Sequence, residues 1–186
     1  MDTDELESIL EGHAETPSVE FKGACSWNVS WLAKDILALS NVQDGGVIII
    51  GVEDDTFKRQ GVDEAQRQSF KVEMMRDQMA AFADPHVNFV VEFPSDIGGN
   101  TYVVIRVQTF EEIPVICRKD SKETQAGKIY SRNKNRQVES APVSNSYDMR
   151  DLVEIATVRM MQRKHRFGYV VTAASKQKLD EELGGL

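Results

Sequence analysis

The chain has 186 residues, of which 41% are hydrophobic, so it is long enough to bury one well-filled core. It carries 30 acids against 22 Lys and Arg residues, and the net charge of −8 argues against a protein that coats nucleic acid with its whole surface. The two cysteines, Cys25 and Cys117, lie far apart and predict neither a disulfide framework nor a zinc site.

Hydropathy and cysteine usage indicate a soluble, cytoplasmic protein without a membrane partner. No apolar run reaches the roughly 20 residues that span a bilayer. The first ten residues are acidic, whereas a signal peptide begins with basic residues. Unpaired cysteines fit a reducing compartment.

The N-terminal part of the chain predicts two helices and an edge strand. Residues 4–11 place apolar side chains at helical spacing, and residues 18–21 are typical of a short edge strand. Ser30 is a candidate N-cap for a helix whose apolar residues recur at helical spacing and which ends near Asn41.

The middle of the chain predicts a central strand, a long helix and a hairpin. Residues 44–46 provide a turn whose glycines accept positive φ angles, and residues 47–50 form a strand that is apolar on both faces. Residues 64–83 show helical periodicity. Residues 87–93 and 102–107 alternate as half-buried strands and are expected to pair antiparallel.

The C-terminal part predicts two short strands and further helices. The strands, residues 114–117 and 129–132, bracket a basic loop. From Ser146 the apolar spacing becomes helical and ends in a basic cluster at residues 163–166. The tail from Thr172 is expected to form a short helix or a frayed end.

Charge is distributed unevenly along the sequence. Residues 1–20 hold seven acids and no Lys or Arg, whereas residues 118–136 hold seven bases and two acids. Such a stretch can bind phosphate oxygens, and the alternative is a loop whose charges are simply solvated. The candidate nucleic-acid-binding residues are Lys22, Arg118, Lys119, Lys128, Tyr130, Arg132, Lys134 and Arg136.

Four carboxylates form the candidate metal-binding group. Glu15 lies just before the predicted edge strand and Glu20 lies within it, whereas Glu53 and Asp54 follow the central strand. Carboxylates from separate elements can hold Mg²⁺ or Mn²⁺ for phosphodiester chemistry. The alternative is that these acids are solvated or paired with a neighbour such as Lys22.

Nucleotide-binding motifs do not occur in the sequence. Gly45 and Gly46 precede a strand, whereas a Walker loop or a dinucleotide fingerprint lies between a strand and a helix and has a different spacing. A tight turn is therefore the favoured interpretation, and ATP is not an expected cofactor. None of the three histidines has an identifiable triad partner.

Several short segments together carry a family resemblance. In chain order they are 20–22 (EFK), 38–41 (ALSN), 44–46 (DGG), 50–54 (IGVED), Gly61, Pro114 and 129–132 (IYSR). Over about residues 15 to 140 the chain resembles the Schlafen AlbA-type domain, also called a divergent AAA domain. The most specific part is the EFK triplet followed by N-x-x-x-G-G-x-x-x-x-G-V-E-D.

The resemblance implies a nucleic-acid-binding module of the kind found in bacterial proteins often named transcriptional regulators. In animal Schlafen proteins a similar domain is doubled and cuts transfer RNA with three acids. By position, two of these correspond to Glu15 and Glu20, and the third to Glu53, or to Asp54 if the register differs. The zinc site of the animal proteins has no counterpart here, and no Walker sequence supports the ATPase label.

These observations together predict an α+β fold with a mixed, mostly antiparallel sheet packed with helices. We expect an N-terminal helix over residues 1–14, a Schlafen AlbA-like domain over 15–145 and a C-terminal helical extension over 146–186. The expected function is nucleic-acid binding, as a DNA-binding transcriptional regulator. Because one copy supplies only half of a two-lobed cleft, a homodimer is expected.

Two alternative functions remain open from sequence. The first is a metal-dependent ribonuclease that cuts structured RNA such as tRNA, with Glu15, Glu20 and Glu53 as catalytic residues and Mg²⁺ or Mn²⁺ as cofactor. The second is a protein-interaction module that uses the acidic N-terminus and the C-terminal helix.

Overall fold

The computed structural model describes residues 1–12, 14–54, 56–132 and 138–168. Its helices are α1 (Thr3–Glu11), α2 (Val29–Ser40), α3 (Glu64–Ser69), α4 (Val72–Ala80) and α5 (Ser146–Arg166). Its strands are β1 (Val19–Lys22), β2 (Gly46–Ile50), β3 (Ala83–Asp84), β4 (Phe89–Glu92), β5 (Val103–Val107), β6 (Ile116–Cys117), β7 (Tyr130–Arg132) and β8 (Ser140–Pro142). Among these helices, none combines the length and the apolarity that a membrane crossing requires.

The main sheet has four strands in the order β1, β2, β5, β4. The edge strand β1 runs parallel to β2, while β2 with β5 and β5 with β4 are antiparallel. Two further antiparallel pairs, β3 with β6 and β7 with β8, extend the fold. The predicted α+β class and the mixed, mostly antiparallel sheet are confirmed.

Strand β2 is central because both of its faces are apolar and both are covered. Ile48 and Ile50 face the larger core, which contains residues of α2, α4 and α5. Val47 and Ile49 face a second core that α1 covers with Leu6 and other residues. Because successive side chains of a strand point to opposite faces of the sheet, the aliphatic residues of β2 contribute alternately to the two cores.

The turn before β2 requires its two glycines. Gly45 has φ +71°, and a Cβ there would lie 2.3 Å from the carbonyl oxygen of Val107. A Cβ on Gly46 would lie 2.5 Å from the carbonyl oxygen of Ser18. The backbone therefore passes between β5 and the start of β1 with no room for side chains, and the prediction of a tight turn is confirmed.

Two local predictions are corrected. The helix expected over residues 64–83 is broken into α3 and α4 at Phe70, whose side chain turns into the larger core. Helix α2 begins after Asn28, two residues earlier than the expected cap at Ser30. The expected antiparallel hairpin of β4 and β5 is confirmed, and the tail from Thr172 lies outside the described residues.

Candidate functional site

A buried group of charged side chains lies where β1, α2 and β7 meet. Phe21 points to the α1 core, so its neighbours Glu20 and Lys22 both point to the opposite face of the sheet. There they meet Asp35 from α2 and Arg132 from β7. We call these four residues, together with Glu15, the ionic cluster.

Arg132 is the most deeply buried cation of the ionic cluster, with only 4% of its surface exposed. Its guanidinium forms an ion pair with Glu20, and its Nη2 lies 3.7 Å from Oε2 of Glu15. It also donates hydrogen bonds of 3.3 Å to the carbonyl oxygens of Thr16, Val19 and Val138 and to the hydroxyl of Ser140. Arg132 therefore holds the segment before β1, β1 itself and β8 together.

Lys22 is the second cation of the ionic cluster. Its ammonium group is paired with Oε1 of Glu20 and lies 3.5 Å from Oδ2 of Asp35. Burial alone would lower the pKa of Lys22, but the carboxylates of Asp35 and Glu20, with a smaller contribution from Asp54, outweigh burial and raise it. Lys22 thus remains charged, and each carboxylate oxygen of Glu20 faces a cation.

The carboxylates of the ionic cluster outnumber its cations by three to two. Burial, and then repulsion from Glu20, raise the pKa of Glu15, although the backbone N–H of Phe21 donates to its Oε1 at 3.2 Å. The pKa of Asp35 is raised for the same two reasons, in the same order. The ionic cluster therefore carries an excess negative charge that favours protonation of these two acids.

The acids expected to bind a metal do not fit a metal site. Lys22 and Arg132 already face both oxygens of Glu20. The side chain of Glu53 instead accepts a hydrogen bond of 2.5 Å from the hydroxyl of Thr56 in its own turn. Asp54 lies close enough to Lys22 to raise its pKa, so the end of β2 does approach the EFK segment. Across the described ranges, no three His, Cys, Asp or Glu side chains are arranged to hold an ion.

The loop between β6 and β7, residues 118–128, presents a separate positive surface, which we call the basic loop. Its exposed bases are Arg118, Lys119, Lys122 and Lys128. The loop is braced internally, since the N–H of Gln125 donates to the hydroxyl of Tyr130 and the N–H of Ala126 donates to Oδ1 of Asp120, both at 2.8 Å. Lys119 also lies over the ring of Phe82, with its Nζ 5.2 Å from the centroid.

Three of the predicted nucleic-acid contacts are corrected. We expected Tyr130 and Arg132 to offer exposed surface, which is wrong because both are at most 4% exposed. They occupy alternate positions of β7 and therefore point inward together. Lys22 is held in the ionic cluster. Lys134 and Arg136 lie outside the described residues.

Two polar residues, Asp35 and Asn41, were assigned no role in the site from the sequence. Asp35 is a charged residue on the buried face of α2, a local signal that could have been read as a partner for a buried cation. Asn41 is 1% exposed and joins three elements. Its Oδ1 accepts from the N–H of Val115, and its Nδ2 donates to the carbonyl oxygens of Val115 and Tyr130, all within 2.9 Å.

The family assignment agrees with this geometry. The family described as "Schlafen, AlbA_2" matches residues 15–141, which include every residue of the ionic cluster and the basic loop. The chain belongs to the Schlafen AlbA_2 family. The match confirms the resemblance to the Schlafen AlbA-type domain, and it associates this chain with a family linked to nucleic acids.

Two solved structures have a fold similar to that of this Schlafen AlbA_2 domain. One is the DIP2311 protein from Corynebacterium diphtheriae, with 20% identity and a TM-score of 0.50 over 75% of this chain and 26% of that protein. Another is the N-terminal domain of a protein from Nitrosomonas europaea described as related to the ATP-dependent DNA helicase RecG. It has 20% identity and a TM-score of 0.50 over 75% of this chain and 95% of that chain. At this identity both show the fold alone. No curated protein matches the sequence.

Proposed function

We propose that this Schlafen AlbA_2 domain binds nucleic acid through the basic loop. The observation that carries the proposal is that Arg118, Lys119, Lys122 and Lys128 are all exposed, and none of them takes part in an ion pair within the described part of the chain. Unpaired bases on a braced loop can form charge-assisted contacts with phosphate oxygens at little ordering cost.

The local charge of the basic loop is compatible with the acidic chain as a whole. The loop contains only two acids, and one of them, Glu123, lies 3.3 Å from Lys34 of α2. Its positive potential is therefore a local feature of a protein whose net charge is −8. Such a patch binds phosphate by releasing counterions, which makes the affinity strongly dependent on salt.

We further propose that the ligand is DNA and that the role is transcriptional regulation by a homodimer. The family resemblance supports this finer function, and two copies of one positive patch would contact two sites on a duplex. The ribonuclease alternative is less favoured, because Lys22 and Arg132 occupy the positions beside Glu20 that an ion would need.

The proposal is tested by removing two loop charges and measuring binding as a function of salt. Arg118→Ala combined with Lys128→Ala should weaken binding of a fluorescent 20-base-pair duplex by about fivefold for each lost phosphate contact at 0.15 M salt, and should reduce the salt slope by about 2. Lys58→Ala with Lys71→Ala is the matched control, because both lysines are exposed and lie outside the loop. Equal affinities and slopes for the two double variants would remove the basic loop from the interface.

The same assay separates DNA from RNA and binding from cleavage. Labelled tRNA replaces the duplex as a second ligand, and its length is checked on a gel after incubation with Mn²⁺. Cleavage by the wild type and not by Glu20→Gln would establish the ribonuclease function instead. Intact tRNA with a measurable affinity is the expected result.

A further inference from the structure

Helix α5 has many exposed apolar side chains. Half of the exposed large apolar side chains in the described ranges lie on this helix or at its end. They are Tyr147, Met149, Val153, Val158, Met160, Met161 and Phe167. By helical periodicity they fall on two stripes, and Tyr147, Val158 and Met161 share one stripe with Asp151 and Glu154. Exposed apolar side chains grouped in this way are typical of an interface.

Only one face of α5 is used to hold the helix on the domain. Leu152 and Ala156 are buried in the larger core. Arg159 donates to the carbonyl oxygens of Phe110 and Gln43, both at 2.7 Å. The flank beside this face opens on a cleft of about 690 Å³ between α5 and the turn after α2. The helix is therefore fixed in place, and Asp151, Glu154 and Val158 line this cleft on the flank that stays exposed.

The charges of α5 are separated along the helix. The first half carries three acids, Asp148, Asp151 and Glu154, against one base, Arg150, and all of these except Asp148 are exposed. The last turn holds four basic side chains at positions 163–166. Arg163 is paired with Glu112, but Lys164 and Arg166 are exposed and form no ion pair with any described residue. The first half of the helix is thus acidic in net charge, and its last turn is basic.

We propose that a second copy of this chain covers α5, with the two helices packed antiparallel across a two-fold axis. In that arrangement the acidic half of each helix faces the basic end of its partner, so the same surface is complementary to itself. Positions 147, 151, 154, 158, 161 and 165 follow the alternating four-and-three spacing of a helix–helix seam. Val158 and Met161, which are 53% and 64% exposed, supply apolar contact at its centre.

This inference rests on the homodimer of the proposed function and assigns a surface to it. It does not depend on nucleic-acid binding, because the helix and the basic loop share no residue. Association and nucleic-acid binding can therefore fail separately. Arg118→Ala with Lys128→Ala should remain dimeric, which separates a failure of the loop proposal from a failure of this one.

Charge reversal in two complementary variants tests the proposal. One variant carries Asp151→Lys and Glu154→Lys, and the other carries Lys164→Glu and Arg166→Glu. Each alone should raise the dimer dissociation constant by about tenfold or more, because like charges then meet at both ends of the interface. Mixing the two variants should restore association as a heterodimer, since every facing pair is again opposite in sign.

Sedimentation velocity of the 186-residue chain over a range of concentrations is the measurement. Glu73→Lys with Asp77→Lys on α4 is the matched control, since both acids are exposed and lie about one helical turn apart, as Asp151 and Glu154 do. It should associate like the wild type. A wild-type chain that stays monomeric overturns the proposal. In that case the exposed surface of α5 would be covered by another protein or by other residues of this chain. A mixture that does not associate better than its components also overturns it.

Discussion

Replacing Arg132 by Met should strongly destabilise the domain. Met keeps part of the side-chain volume and removes the charge and every guanidinium hydrogen bond. Arg132 is fully buried as a side chain, and its partner Glu20 is only 7% exposed. Breaking a buried ion pair from one side costs about 3–5 kcal/mol, because the remaining charge is left without its partner.

Urea denaturation followed by far-UV circular dichroism measures this cost. With a slope of about 2 kcal/mol/M, the expected loss lowers the unfolding midpoint by roughly 2 M. Arg106→Met is the matched control, because Arg106 pairs with Glu5 at 3.0 Å but both side chains are at least 40% exposed. An exposed pair contributes about 0–1 kcal/mol.

A double-mutant cycle with Glu20→Gln tests whether the two residues act as a pair. If they do, the double variant should be more stable than the sum of the two single losses predicts, by roughly 0.5–3 kcal/mol. The reasoning is refuted if Arg132→Met lies within about 1 kcal/mol of the wild type, since that value describes an exposed pair.

Three further predictions concern the same region. Burial and repulsion from Glu20 raise the pKa of Asp35, so its contribution to stability is largest at acid pH and is lost as the pH rises from about 4, the ordinary pKa of aspartate, through the folded pKa. Asp35→Asn should therefore gain stability relative to the wild type as the pH is raised above about 4 in urea titrations, and a pH-independent difference would contradict this. Asn41→Leu leaves buried backbone groups of Val115 and Tyr130 unpaired, so it should lower the free energy of unfolding by about 3 kcal/mol or more in the same assay. A loss under about 1 kcal/mol would show that these groups find other partners. Gly45→Ala should destabilise the domain by about 1–2 kcal/mol and so lower its melting temperature by several degrees, because Gly45 has a positive φ and lies against the carbonyl of Val107. An unchanged melting temperature would mean that the turn moves freely.

The elements that sequence predicted well are those with strong local periodicity. Residues 47–50 are apolar without interruption, which identified the central strand, and the alternation in residues 87–93 and 102–107 identified the hairpin. Phe70 shows the limit of this signal. Helical spacing continues through it, and only its burial in the core shows why the helix breaks there.

The charged residues were harder to place, because their partners are distant in sequence. Glu20 and Arg132 are 112 positions apart, and no local pattern connects them. Strand alternation within residues 130–132 does place Tyr130 and Arg132 on one face, so the inward direction of Arg132 was partly readable once its neighbour was recognised as a core aromatic. The exposure of Arg118, Lys119, Lys122 and Lys128 follows from their position in the loop, which the sequence predicted.

The long separation between Glu20 and Arg132 also affects how the domain forms during synthesis. When β1 leaves the ribosome, Lys22 is available as a counterion at once, but the guanidinium arrives only after more than a hundred further residues. Closing so long a segment costs chain entropy before the contact is gained, and high contact order of this kind slows folding. The nascent chain should therefore keep β1 undocked until β7 is made, and a truncation that stops before Arg132 should leave the first strand open to proteases.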